Sequence, residues 1–297
     1  MKPLLRRFAA AFAGIAALVV GMPAAARLVE EPFELPVEVL DAYGKTIARP
    51  ITVTLFRDDA RSHPQPLAVL NHGRAADAAE RAALGRARMS DTARWLVQQG
   101  FVVAVPTRIG YGVTGGEDVE DTGSCSSKRY APGFAAAAQQ TVAVLAALQR
   151  RSDVAPDRAL VIGQSFGGMT SVAVAAQAPP GVVAAINFAG GGGGNPKTQP
   201  GRPCAPQLLE RLAADYGASA RVPMLWVYTE NDLYFGATYP RAWFEAYRKA
   251  GGTAEFVQFP ATGADGHRLF VDHPDVWRPT VAAFLRRQGF DIKDAAP

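Results

Sequence analysis

Histidine and cysteine are scarce in this chain of 297 residues, which contains four histidines and two cysteines. The two cysteines, Cys125 and Cys204, are far apart and neither forms a C-x-x-C pair, so the sequence predicts no metal site. No long block of one charge occurs either, since 31 basic and 27 acidic residues are scattered and leave a net charge of +4. Because the basic residues are not clustered with aromatic ones, we expect no nucleic-acid partner.

The first residues have the composition of an export signal. A basic start at residues 2–7 precedes an apolar run at 8–20, and small residues at 22–26 predict cleavage before Arg27. The apolar run is short for a membrane span, which needs about 20 residues. We therefore expect a signal peptide at 1–26, no stable membrane span after cleavage, and a periplasmic or secreted protein. An uncleaved N-terminal anchor is the alternative.

Short apolar runs that alternate with helical segments predict the fold class. Runs that are apolar throughout are typical of parallel strands that helices cover on both faces. The chain has no internal repeat and no change of composition along its length, so we predict one α/β domain with a doubly wound, mostly parallel sheet. The predicted strands are 37–43, 51–56, 67–70, 101–105, 159–163, 182–188, 222–228 and 254–259, and the predicted helices are 91–99, 134–148, 166–177, 239–250 and 276–287.

Two long segments rich in glycine and proline, 107–132 and 189–206, each follow a predicted strand and each contain one cysteine. Loops of this length in a compact domain are often functional. In an oxidising compartment Cys125 and Cys204 have one possible intramolecular pairing. The sequence therefore predicts a disulfide that joins two loops beside the site, with two unpaired thiols as the alternative.

One serine lies between glycines in Gly163-Gln164-Ser165-Phe166-Gly167, where a predicted strand meets a predicted helix. The stretch matches G-x-S-x-G, in which a sharp turn exposes the serine Oγ above the sheet. Glycines flank the serine in this motif because strand and helix pass too closely for a Cβ. The pattern predicts Ser165 as a nucleophile.

A serine nucleophile needs a base and an orienting acid. Among the four histidines, His267 lies in a loop after the last predicted strand and is the predicted base, with His273 as its competitor. Asp232 lies in the turn after predicted strand 222–228 and is the predicted acid, with Glu230 as the alternative.

The order Ser165, Asp232, His267, together with the serine motif and Asn71-His72-Gly73 after the third strand, resembles the α/β-hydrolase superfamily. Within it, the chain is most similar to the dienelactone-hydrolase and prolyl-oligopeptidase-like branch of single-domain esterases and peptidases. The resemblance implies an α/β-hydrolase catalytic domain at 27–297 and two-step acyl transfer without metal or cofactor. The usual dienelactone hydrolases have a cysteine nucleophile, so lactone cleavage is not carried over.

The resemblance also implies an oxyanion hole, formed by the backbone N–H groups of Phe166 and Arg74. His72 would shape this loop through hydrogen bonds rather than act as a base. The candidate substrate-binding residues are Tyr111, Gly191 and Tyr234.

Each of these substrate-binding assignments has an alternative. Tyr111 either donates its hydroxyl to a substrate or packs, and the glycines at 190–194 form either a pocket wall or a mobile linker. Several aromatic residues near the predicted site would favour an apolar or aromatic substrate: Phe166, Tyr234, Phe235 and Tyr239.

An exported serine esterase acting on small-molecule esters is the predicted function. An exported serine peptidase is the first alternative, although the segment from Arg27 to the third strand is too short for the propeller that prolyl oligopeptidases usually carry. A lipase is disfavoured because the long loops contain no amphipathic helix that could form a lid. A non-catalytic binding protein of this fold would be expected to lack one member of the triad. The sequence indicates no oligomeric state.

Overall fold

A computed structural model describes residues 27–75 and 77–293. The predicted signal peptide at 1–26 therefore lies outside the described residues. The described strands, which form one sheet, are β1 (Leu28–Leu40), β2 (Thr46–Asp58), β3 (Gln65–Asn71), β4 (Val102–Thr107), β5 (Val154–Gln164), β6 (Val182–Phe188), β7 (Met224–Thr229) and β8 (Ala254–Phe259). The helices are α1 (Ala78–Ala82), α2 (Ser90–Gln98), α3 (Tyr130–Leu148), α4 (Phe166–Gln177), α5 (Pro206–Ser219), α6 (Tyr239–Lys249), α7 (Leu269–Asp272) and α8 (Pro274–Arg287).

The sheet is mostly parallel and has the strand order β1-β2-β4-β3-β5-β6-β7-β8. Strands β3 to β8 pair in parallel, and β1 and β2 add an antiparallel edge. The predicted single-domain α/β-hydrolase fold is therefore confirmed. Because parallel strands end at the same edge, the segments that follow β3, β4, β5, β6, β7 and β8 meet there.

Hydrophobic cores lie on both faces of the sheet because side chains alternate along each strand. In β5, Ala159 and Val161 point into the core under α3, α4, α5 and α6. Leu160 and Ile162 point into the opposite core, which α2 and α8 cover. Complete burial of an aliphatic side chain of this kind stabilises the fold by roughly 1.5–3 kcal/mol.

Helix α3 is long and apolar enough to cross a membrane by length and composition alone. More than half of its apolar window is buried inside the protein, and it packs against α4 and β1. Its composition is therefore that of a core helix.

The antiparallel edge differs most from the sequence-based prediction. The predicted strand 37–43 corresponds to β1, which begins earlier, at Leu28, and ends at Leu40. It ends there because Asp41 accepts hydrogen bonds from the backbone N–H groups of Tyr43 and Lys45 in a tight turn. Prolines in β1 and β2, among them the facing pair Pro36 and Pro50, obscured both strands. An edge strand tolerates proline because the missing N–H can face solvent.

Helix α5 was not predicted, because Pro206 was interpreted as the end of a loop. Proline is suited to the first turn of a helix, where its missing N–H has no intrahelical acceptor. The helix buries Leu209, Leu212 and Ala213 on one face, which is the expected helical spacing. The short helices α1 and α7 were also not predicted.

Candidate active site

Ser165 lies at the turn between β5 and α4 and has a strained backbone, with φ +59° and ψ −123°. A non-glycine residue in this region costs about 1–3 kcal/mol and persists only when its surroundings hold it. Here the Ser165 N–H donates to Phe188 O at 2.9 Å, and the Ser165 carbonyl accepts from Gly168 and Gly191 at 2.9 and 3.2 Å. These three backbone hydrogen bonds stabilise the strained turn.

The flanking glycines leave room for crossing backbones. A Cβ at Gly163 would lie 1.8 Å from the carbonyl oxygen of Gly167, and a Cβ at Gly167 would lie 2.2 Å from that of Asn71. No side chain fits at those distances. The spacing of the motif is therefore a steric requirement of this turn.

Ser165 opens into a cleft of about 210 Å³. Phe166 lies beside the serine, and the walls are formed by the glycines 191–194, the aromatic pair Tyr234 and Phe235, and the segment 121–123 with Lys128. A larger and more open groove of about 1020 Å³ lies between α5 and α6, but it contains none of the predicted site residues. The smaller cleft is the candidate site.

Asp232 and His267 meet at the carboxyl edge of the sheet. Asp232 Oδ2 lies 3.0 Å from His267 Nδ1, and Asp232 Oδ1 accepts the backbone N–H groups of Tyr234 and Phe235 at 2.7 and 2.9 Å. Both side chains are buried, with Asp232 2% and His267 4% exposed. The carboxylate therefore assigns the proton to Nδ1 and leaves Nε2 as an acceptor.

The imidazole of His267 is also held by packing. Tyr234 stacks on the ring at 4.0 Å between centroids, and Phe235 meets it edge-on at 5.2 Å. Asp265 accepts the backbone N–H of His267 at 3.0 Å, which fixes the start of this loop. The predicted base is therefore on an ordered turn rather than on a flexible loop.

His267 Nε2 is buried and has no hydrogen-bond partner within residues 27–75 and 77–293. The side chain of Gln164, next to the serine, donates to the His267 carbonyl at 3.2 Å and ties the two segments together. No hydrogen bond joins Ser165 Oγ to His267 in the described residues. Catalytic hydrogen bonds are often long or misaligned when no substrate is bound.

The alternative acid Glu230 and the alternative base His273 lie away from the His267–Asp232 pair. Glu230 is exposed and its backbone N–H donates to Phe259 O, which ends β7 beside β8. His273 precedes α8, where its ring lies against Gly263. Neither side chain makes a hydrogen bond to His267 or Asp232.

The two predicted oxyanion donors lie beside Ser165. Phe166 is the first residue of α4, and the N–H groups of a first helical turn have no intrahelical acceptor. Gly73 lies so close that a Cβ there would be 3.2 Å from the Cβ of Ser165, and Arg74 lines the same cleft as the serine. The Arg74 side chain is fixed to Asp118 by two hydrogen bonds of 2.6 Å.

His72 is buried and shapes this loop, as predicted from its position. Its Nδ1 donates to Gly73 O at 2.7 Å, and its Nε2 accepts the Arg108 N–H at 3.4 Å. Burial, together with the nearby Arg108 charge, holds the pKa of His72 well below its ordinary value of 6.5. The ring is neutral and cannot gain a proton without losing the contact to Arg108.

Acid is expected to destabilise the protein through His72. The unfolded chain binds a proton near pH 6.5 and the folded chain does not, so the free energy of unfolding falls as pH drops below about 6.5. This single proton contributes at most about 1.4 kcal/mol per pH unit. Urea unfolding from pH 7.5 to 5 would measure the slope, and His72→Gln should flatten it relative to His63→Gln, which alters an exposed histidine. Equal slopes of the free energy of unfolding against pH in the two variants would contradict the lowered pKa of His72.

The structure does not bring all predicted substrate-binding residues to the cleft. Gly191 and Tyr234 line it, but Tyr111 does not. The Tyr111 hydroxyl donates to Glu120 at 2.7 Å and accepts from Arg74, and its ring packs edge-on against His72. Tyr111 packs behind the loop, and Tyr239 stacks on Trp243 outside the cleft.

The sequence analysis missed one wall of the cleft and a buried ion pair. Segment 121–123 and Lys128 line the cleft, and Cys125 within the same loop forms a disulfide with Cys204. Arg108 and Glu120 form an ion pair behind the site. The long loops were singled out as functional, but no local signal in the sequence identifies which of their residues face the cleft.

Within the described residues, no three histidine, cysteine, aspartate or glutamate side chains come together as a metal site. The candidate site contains a strained serine and a buried histidine–aspartate pair, with the backbone N–H groups of Phe166 and Arg74 as the predicted oxyanion donors. This set of groups can carry out nucleophilic acyl transfer.

Comparison with known proteins yields a family match and structural neighbours. A model of the dienelactone hydrolase family matches residues 81–276. No curated protein matches the chain.

Solved structures with the same fold are distant in sequence. A putative dienelactone hydrolase from Klebsiella pneumoniae is 16% identical, with a TM-score of 0.56, over 87% of this chain and 99% of that one. An esterase from Pyrococcus furiosus is 12% identical, with a TM-score of 0.57, over 86% and 90% of the two chains. An acetyl xylan esterase from Paenibacillus sp. R4 is 15% identical, with a TM-score of 0.57, over 89% and 87%. At identities this low, the structural similarity shows a common fold and does not assign a substrate.

Proposed function

The chain belongs to the dienelactone hydrolase family, and we propose that it is an exported serine hydrolase that cleaves carboxylic esters of small molecules. The observation that carries the proposal is the His267–Asp232 pair, whose buried Nε2 has no partner among the described residues and lies at the edge of the sheet where Ser165 lines the cleft. A buried unpaired nitrogen is costly, and a serine hydroxyl or a water is the partner that this chemistry requires.

Acylation follows from the positions of the polar groups. Ser165 Oγ attacks the ester carbonyl while His267 Nε2 takes the hydroxyl proton, and Asp232 stabilises the imidazolium that results. The negative charge on the carbonyl oxygen is stabilised by the N–H groups of Phe166 and Arg74. The imidazolium then protonates the leaving alcohol, and Ser165 carries the acyl group.

Deacylation uses the same groups in reverse. A water replaces the alcohol, loses its proton to His267 Nε2 and attacks the acyl-enzyme carbonyl. Collapse of the second tetrahedral intermediate releases the acid and restores the Ser165 hydroxyl. Neither step needs a metal ion or an organic cofactor.

Export is supported by two independent features. Residues 1–26 have the composition of a signal peptide, and the Cys125–Cys204 disulfide suits an oxidising compartment. A periplasmic or secreted location follows. Expression of the full chain and N-terminal sequencing of the exported protein would test it, with Arg27 expected as the first residue.

A substrate panel tests the reaction. The protein from Arg27 onward would be assayed with p-nitrophenyl esters from acetate to palmitate and with aminoacyl and dipeptidyl p-nitroanilides, with Ser165→Ala as the blank. Ester turnover that vanishes in the blank supports the proposal. Comparable turnover of the anilides would instead identify a peptidase, and turnover of neither would leave a binding protein of this fold.

Asp232→Asn is expected to lower kcat by about 10⁴-fold while the fold is retained. The amide oxygen can still accept the N–H groups of Tyr234 and Phe235, but its NH₂ group faces His267 Nδ1 and moves the ring proton to Nε2. The base is then in the wrong tautomer. Steady-state kinetics would measure the loss, and Glu230→Gln, which alters the exposed neighbouring carboxylate, should retain wild-type kcat. A larger loss in Glu230→Gln would reverse the assignment.

A further inference from the structure

An ion pair is completely buried behind the candidate site. Arg108 follows β4, Glu120 lies 12 residues further along the same loop, and both side chains are 0% exposed. Arg108 Nε lies 2.5 Å from Glu120 Oε1, and a second guanidinium nitrogen lies 3.2 Å from Oε2. Neither side chain lines the cleft.

Two further donors of Arg108 contact His72. The guanidinium donates to His72 O at 3.0 Å, and the backbone N–H of Arg108 donates to His72 Nε2 at 3.4 Å. The second contact keeps the ring proton on Nδ1, which donates to Gly73 O at 2.7 Å. Arg108 therefore holds both the backbone and the ring of His72.

The Gly73 carbonyl belongs to the same peptide unit as the Arg74 N–H. A trans peptide is planar, and its C=O and N–H point in opposite directions. Fixing the Gly73 oxygen on one side therefore fixes the direction of the Arg74 N–H on the other. This peptide begins beside Ser165, since a Cβ on Gly73 would be 3.2 Å from the Cβ of Ser165, and Arg74 lines the same cleft.

We propose that Arg108 and Glu120 are positioning residues that act through His72 to aim the Arg74 N–H at the developing oxyanion. This inference deepens the proposed esterase function and rests on it. Glu120 fixes the guanidinium, Arg108 fixes His72, and His72 fixes the peptide that stabilises the transition state. Neither charged side chain touches the substrate.

The energetics of burial favour this role over a purely stabilising one. Replacing a buried ion pair with apolar residues of similar volume is often neutral or stabilising, so the pair is weak evidence for stability by itself. An oxyanion donor, by contrast, must be held within about 0.5 Å of its productive position. A rigid, two-pronged arginine provides such a support, whereas a lysine has no planar fork.

Arg108→Lys is the decisive variant because it retains a charge for Glu120 but loses the fork that also reaches His72 O. We expect kcat for p-nitrophenyl acetate to fall by about 10- to 100-fold with KM within twofold of the wild type, since a complete loss of one donor costs 10²–10³. Binding of a trifluoromethyl ketone, which forms a tetrahedral adduct with the serine, should weaken by the same factor. A kcat within twofold of the wild type would overturn the proposal.

A variant that is destabilised far from the site separates an effect on the oxyanion donor from an effect on the stability of the fold. Val281→Ala removes two methyl groups from α8 in the core on the other face of the sheet. It should lower Tm yet leave kcat and ketone binding unchanged. Parallel losses of kcat in this control and in Arg108→Lys would overturn the positioning role.

A measurement on the amide itself distinguishes failure of this inference from failure of the esterase proposal. The ¹⁵N order parameter of the Arg74 N–H should be near 0.85 in the wild type and below about 0.6 in Arg108→Lys. This measurement needs no turnover, so an inactive wild type would refute only the proposed esterase activity. An unchanged order parameter would refute the positioning role.

If Arg108→Lys does not fold, the double variant Arg108→Met/Glu120→Leu removes both buried charges together. A folded double variant with reduced kcat and unchanged KM supports the proposal, and one with wild-type kcat overturns it. Failure of both variants to fold would assign the pair to folding alone.

Discussion

Ser165→Ala is expected to lower kcat for ester hydrolysis by about 10⁵- to 10⁶-fold, the loss typical of removing a triad nucleophile. Without the hydroxyl no acyl-enzyme can form, and only the residual catalysis from the oxyanion donors and substrate binding remains. The Tm should remain within a few degrees of the wild type, because Ser165 Oγ makes no hydrogen bond within the described residues. Progress curves for p-nitrophenyl acetate and labelling by a fluorophosphonate probe would measure the two losses.

The control for this variant is another buried serine of α4. Ser171 donates to the Gly167 carbonyl at 3.1 Å and is completely buried. Ser171→Ala should keep both kcat and probe labelling while losing some stability. Residual activity above 1% in Ser165→Ala, or loss of labelling only in Ser171→Ala, would contradict the assignment of the nucleophile.

Removal of the disulfide by Cys125→Ser/Cys204→Ser is expected to destabilise the protein by about 4 kcal/mol. The two cysteines are 79 residues apart, and closing a loop of that length removes much entropy from the unfolded chain in the chain-entropy model. For a domain of this size the loss corresponds to a fall in Tm of roughly 8–16 °C. Thermal unfolding of the oxidised wild type and of the double variant would measure it.

The same variant should also raise KM, because the disulfide joins two walls of the cleft. Thr122, Gly123 and Lys128 flank Cys125, while the backbone of Cys204 donates to Gly193 O at 3.0 Å. Wild-type protein reduced with dithiothreitol provides a control without substitution and should match the variant in Tm and KM. An unchanged Tm in both samples would contradict the prediction, because the bond would then not restrict the unfolded chain.

Elements with strong local signals were predicted to the residue. Helix α4 and strands β6 and β8 have the bounds that the sequence analysis assigned. Helix α4 and β6 are continuous runs of apolar and small residues, and β8 is a short strand rich in aromatic and β-branched residues that ends at Pro260. The information needed therefore lies within or directly beside each element. Where proline lay inside an element, the same rules placed the start of β1 too late and missed α5.

The sequence pointed to the residues of the predicted triad for a related reason. Ser165 follows from the spacing of glycines that a strand-to-helix turn needs, and Asp232 and His267 follow strands that end at the same sheet edge. Parallel strands bring these turns together whatever their separation in the chain. The close contact of Asp232 Oδ2 with His267 Nδ1, at 3.0 Å, agrees with that expectation.

What only the tertiary structure decided is the course of the long loops. Tyr111, for which substrate binding and packing were both predicted as alternatives, packs behind the cleft. Lys128 lines the cleft although no sequence signal predicted it, and Arg108 contacts Glu120 and His72. The sequence pattern of a loop does not predict such contacts. The conformation of a loop depends on its tertiary contacts, whereas a helix or a strand has a periodic pattern of buried residues. The sequence by itself determined the sheet, the serine turn and the order of the site residues, and the packing of loops across the sheet edge determined the shape of the cleft.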